Sequence, residues 1–107
     1  MYEYKARVIR IVNGDTFILS VETEPDVWMR RRCVLYGVGA PEIKVTHSPQ
    51  KEAAQKTIDR VTELLKDGDC TIKLHGYNED GTSSVSIYAN EVDINTILLT
   101  EGLVTSI

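Results

Sequence analysis

The chain has little of what several functional classes require. Two cysteines, Cys33 and Cys70, are too few for a disulfide framework. Both sit among apolar residues in apparent strands and read as buried free thiols, with no further metal ligands in sequence reach. His47 and His75 stand alone near loop or strand ends and read as surface residues. No apolar run approaches the ~20 residues that span a bilayer, which predicts no membrane association. A signal-peptide core is missing as well. Met1-Tyr2-Glu3-Tyr4-Lys5 leads directly into a strand pattern, so a cytoplasmic location is expected. Nor is there a basic excess. The net charge is −4, whereas non-specific binding of nucleic acid depends on neutralising phosphates. Arg30-Arg31-Arg32 is a local exception. On a strand Arg30 and Arg32 share one face and Arg31 takes the other; a solvated edge is the ordinary reading of such a run.

What is present fits one domain over residues 1–107, with 42% hydrophobic residues for a modest core. Tyr4 to Val12 is rich in β-branched residues with partial alternation, as in a strand. Asn13-Gly14 signals a turn, and the pattern resumes from Thr16 to Val21, which predicts a hairpin. Glu22-Thr23-Glu24-Pro25-Asp26 reads as a loop. A third strand is expected from Val27 to Tyr36, ended by Gly37, Gly39 and Pro41.

Ser48-Pro49 has the form of a helix start, with Ser as N-cap and Pro in the first turn. Ala54, Ile58, Val61 and Leu65 then follow at spacings of four, three and four, one apolar stripe. Asp67-Gly68-Asp69 stops this helix. Short strands are expected over Cys70 to Leu74 and Ser84 to Ala89, with a turn at Asn78-Glu79-Asp80-Gly81. Asp93 can cap a second helix with the stripe Ile94, Ile97 and Leu98, ended by Gly102. Three strands, a helix, two strands and a helix make an α+β chain with the layout of a five-stranded OB-type barrel.

Four segments carry a resemblance. They are Val8-Ile9-Arg10-Ile11-Val12-Asn13-Gly14-Asp15-Thr16, Leu35-Tyr36-Gly37-Val38-Gly39-Ala40-Pro41-Glu42, Ile87-Tyr88-Ala89, and Ile94-Asn95 with Leu98-Leu99-Thr100-Glu101-Gly102-Leu103. In this order and spacing the chain resembles the staphylococcal nuclease (thermonuclease) family. Val27-Trp28 before the third strand is similar to small phage-type members. The resemblance implies an OB barrel and calcium-dependent cleavage of DNA and RNA phosphodiesters.

That chemistry needs oxygen ligands for a hard cation, a carboxylate to handle the attacking water, and cations on the phosphate oxygens. By resemblance, Asp15 is the first metal ligand, the Ala40 carbonyl a second, and Glu42 the general base, able to reach the metal through water. The family's second metal Asp falls at Gly39. Its two phosphate-binding Arg residues fall at Val34 and Thr82, and the aromatic before the second lies at Asp80. Arg32 and Arg30 are the candidate substitutes. Losing one preorganised charge donor costs ~100- to 1000-fold in rate. The expectation is therefore a degenerate binding or accessory module, without a cofactor beyond weakly held calcium. Its expected partner is a protein or weakly bound nucleic acid, and a monomer is expected. The alternatives are a slow or altered calcium-dependent nuclease and a weak single-stranded nucleic-acid binder using Arg30 and Arg32. Purely structural roles for Asp15 and Glu42, and packing roles for Trp28 and Tyr36, compete with these.

Overall fold

In the computed structural model, which describes residues 2–39 and 48–106, the chain runs β1 (Tyr2–Ile11), β2 (Thr16–Glu24), β3 (Val27–Leu35), β4 (Val38–Gly39), α1 (Ser48–Leu64), β5 (Asp69–Tyr77), β6 (Ser83–Ala89), β7 (Val92–Asp93), α2 (Ile94–Thr100) and β8 (Thr105–Ser106). The long strands are ordered β3-β2-β1-β5-β6, antiparallel throughout. A parallel pairing of Cys33–Leu35 with Ser83–Val85 then joins β3 to β6 and closes the sheet on itself. A five-stranded barrel with a meander, an intervening helix and a closing parallel contact is the OB-type architecture expected from the strand pattern.

Alternation along each strand builds the interior. Ala6 from β1, Phe17, Leu19 and Val21 from β2, and Cys33 and Leu35 from β3 meet Cys70, Ile72, Val85 and Ile87. Closure needs coiled strands. Register shifts between Val8 and Arg10, Glu22 and Glu24, and Leu74 and Gly76 supply local bends. The last of these lets β5 continue past Leu74, where the sequence pattern stopped it.

Helix α1 buries Ala54, Val61 and the following Leu65, and half-buries Ile58, as the stripe predicts. Thr57, in the midst of that stripe, is fully buried. Its hydroxyl donates to the Leu103 carbonyl at 2.7 Å and so ties α1 to the segment after α2. Arg60 reinforces this junction with two bonds of 2.9 Å to Glu101, the C-cap of α2. Asp93 caps α2 by accepting from the Asn95 N–H. The three two-residue strands have no counterpart in the sequence reading. Positive φ at Asn90 and Glu91 makes the tight β6–β7 turn.

Both cysteines are free and buried, as expected. Burial pushes the Cys33 thiol from an ordinary 9.0 to about 11, with Arg31 opposing. Burial does the same for Cys70, aided by the charges of Asp69 and Cys33. The unfolded chain therefore releases these protons at lower pH than the folded one. Their contribution to stability is complete below pH 9 and is lost as pH rises toward 11. Urea titrations from pH 8 to 11 should show stability falling more steeply for the wild type than for Cys33→Ala/Cys70→Ala. Parallel slopes would refute this assignment.

Candidate functional site

Three of the sequence-expected site positions, Asp15, Val34 and Thr82, lie where β2, β3 and β6 run side by side. Thr16 pairs with Val34, and Val34 pairs with Ser84, so the three form one row across the barrel wall. Asp15 stands one residue before this row and Thr82 two residues before its far end. The Asp15 carbonyl accepts from the Leu35 N–H at 2.9 Å. Its position is fixed locally. The Asn13 side-chain oxygen accepts from the Asp15 N–H at 3.0 Å, an Asx turn. The Thr16 hydroxyl donates to the Asp15 carboxylate, also at 3.0 Å.

Gly39 lies in β4, and its carbonyl accepts from the Thr105 hydroxyl at 3.3 Å. Ala40 and Glu42, the expected carbonyl ligand and base, lie outside the described residues, as does His47.

At the other end of the row, Thr82 is buried within a polar turn. Its N–H and hydroxyl both donate to Asp80 Oδ1, at 3.0 and 2.6 Å. Asn78 Nδ2 donates to the Thr82 hydroxyl at 2.8 Å. These two bonds from Thr82 hold the Asp80 carboxyl below its usual range, and the Arg32 charge lowers it further. The turn thus presents a stabilised anion beside the position where the resemblance expects a phosphate-binding cation. Arg32, a candidate substitute, spends part of its field on that anion.

Arg30 and Arg32 are exposed on the outer face of β3 with Trp28, the alternation expected of a strand. Arg31 takes the opposite face. Trp28 is half-buried and carries the Arg7 guanidinium 4.8 Å from its ring centre. Behind it a polar groove of about 790 Å³ crosses the outer faces of β1 and β5 to Tyr88, over which Lys73 sits at 4.9 Å. Asp15, the expected metal ligand among the described residues, does not line it.

Two arrangements escaped the sequence reading. His75 is half-buried rather than isolated. Tyr36, itself 54% exposed, stacks on it with ring centres 4.0 Å apart, and His75 Nε2 lies 2.7 Å from the Ser86 hydroxyl. The β5 bulge brings these together, and no sequence spacing signals it. Asn95 is buried and donates to the Tyr36 carbonyl at 3.1 Å, anchoring the turn that leads toward Gly39. It occurs in the matched segment Ile94-Asn95, where a buried amide beside an apolar stripe is the available signal. The chain matches no protein-family model and no curated protein.

Asp80 generates a pH prediction. Its folded pKa is depressed, so its contribution is present above the ordinary 3.8 and is lost as pH falls below it. Thermal melts between pH 5 and 2.5 should show a steeper acid loss for the wild type than for Asp80→Asn, which cannot titrate. Identical acid limbs would mean that the turn does not depend on the charge.

Proposed function

We propose that this barrel is a degenerate relative of the staphylococcal nucleases that binds a partner instead of cleaving phosphodiesters. The observation that carries the reading is the Asn78–Asp80–Thr82 turn. Where transition-state charge would need a cation, the chain places a carboxylate stabilised by two bonds from Thr82. A phosphate approaching this end of the row meets repulsion, and Val34 on β3 offers no donor to offset it. Asp15 keeps the geometry of a folded turn through Asn13 and Thr16, which supports a structural role for it.

A second reading has its own support. Trp28, Arg30 and Arg32 form an aromatic and basic row on the outer face of β3, part of the surface on which OB barrels bind oligonucleotides. Single-stranded DNA held there would bind weakly. Affinity would fall steeply with salt, and the slope would flatten in Arg30→Ala/Arg32→Ala.

The deciding experiment is cleavage of a fluorescent single-stranded DNA at high protein concentration, with calcium or chelator, beside Glu42→Gln. The expected result is no calcium-dependent cleavage and no rise in melting temperature with millimolar calcium, because a cation that binds the native state must stabilise it. Calcium-dependent cleavage lost in Glu42→Gln would overturn the reading and establish a slow nuclease with a rearranged phosphate clamp.

A further inference from the structure

Strand β3 is longer than the barrel needs. It joins β6 over Cys33–Leu35 alone, and Val27–Arg32 pairs with β2 but with no other described strand. The free side can be read from the ladder. The Leu35 N–H donates to Asp15 and the Tyr36 N–H to Val85, so odd residues of β3 turn their backbone groups toward β2 and even residues turn them away. The N–H and C=O groups of Trp28 and Arg30, with the N–H of Arg32, therefore face an edge that no described strand covers, whereas the Arg32 carbonyl belongs to the β6 ladder that begins at Cys33 and Ser83.

Beside that edge the barrel wall parts. A small slot of about 50 Å³ lies between β3 and β5, lined by Val21, Cys33, Ile72 and Leu74, with Tyr4 and Tyr77 among its other walls. Val27 and Met29, on the same row as Arg31 and Cys33, are 44% exposed. A long edge of this kind is a template for another strand.

Charge selects the occupant. Arg30, Arg31 and Arg32 form no salt bridge among the described residues, although Asp80 already draws on part of the Arg32 charge. A second copy pairing antiparallel along this edge would bring two such runs together, and like charges across a ladder are destabilising. An acidic strand meets the opposite situation. We infer that the open edge of β3 docks an extended acidic peptide segment as an added strand. Alternate carboxylates lie over Arg30 and Arg32, and small aliphatic side chains lie along Met29 and the slot. This inference rests on the reading of the barrel as a binding module and names its partner class.

The test is fluorescence anisotropy with a short fluorescein-labelled peptide of alternating Glu and Val. Two further peptides carry N-methyl groups on every Glu or on every Val, which removes the donors of one strand edge at a time. The parent peptide should bind. One methylated peptide should lose affinity at least ~10-fold, as expected when several backbone bonds are lost, while the other keeps it. Arg30→Ala should weaken binding. Arg30→Pro should abolish it, because proline there removes an edge donor without touching the β2 ladder. If Arg30→Pro does not fold, the methylated peptides still decide.

Equal binding of both methylated peptides, or no binding of the parent at millimolar concentration, would overturn the inference. So would displacement of the peptide by an oligothymidylate that binds more tightly, which would assign the edge to nucleic acid. Cleavage assays run separately distinguish the two failures. DNA cleavage refutes the module reading whatever the peptides do, whereas a silent nuclease that ignores the peptides refutes only the docking edge.

Discussion

The three-residue parallel contact between β3 and β6 is the constraint on which the rest depends. Without it the five strands are an open, strongly twisted sheet with two exposed edges. With it, the apolar faces of all five strands share one interior around Phe17, Leu19, Val85 and Ile87. Closure at low strand number demands tilt and coiling, which the bulges in β1, β2 and β5 provide. The same contact brings Thr16, Val34 and Ser84 into one row, and so places the β1–β2 turn and the β5–β6 turn at opposite ends of a common surface. Because it is short, it also leaves most of β3 without a second partner strand among the described residues. Site and free edge are two consequences of one geometric requirement.

How much of this was legible depended on whether the signal was local. The barrel strands, the helix after Ser48-Pro49 and the Asp93 cap follow from alternation, turn residues and capping chemistry, which act within a few residues. Strands β4, β7 and β8 carry two residues each, too few for any period. Thr57 shows the limit of hydropathy. Its hydroxyl makes it polar by composition, yet a carbonyl 46 residues away makes its burial favourable. The extension of β5 beyond Leu74 depends on a bulge at His75, whose stacking on Tyr36 is tertiary.

Of the candidate site, motif order sets Asp15, Val34 and Thr82 in one family pattern, and strand register puts these three positions on one stretch of the barrel wall, while the roles given to them rest on the resemblance alone. What the sequence could not reveal is the internal wiring of the acidic turn. Asn78-Glu79-Asp80-Gly81 reads as a turn, but which carboxylate accepts from which donor depends on the conformation around Gly81, whose φ is +87°. That conformation returns the chain so that the Thr82 N–H and hydroxyl both reach Asp80.

Net charge is a poor guide to what such a surface prefers. The chain as a whole is acidic, and at long range it repels phosphate and carboxylate alike. At contact distance the balance differs from place to place. Arg7 is drawn toward Trp28 and Asp69, and Arg60 is held by Glu101, whereas Arg30 and Arg31 have no carboxylate partner among the described residues. A phosphate chain can accept from the arginines and from single N–H groups, but its phosphates donate nothing to the open C=O groups and do not follow the alternation of a strand ladder. An acidic peptide uses the arginines and both kinds of backbone group. In the inferred docking, arginines without carboxylate partners beside an edge without a partner strand are what would distinguish two anionic partners that charge alone treats as equivalent.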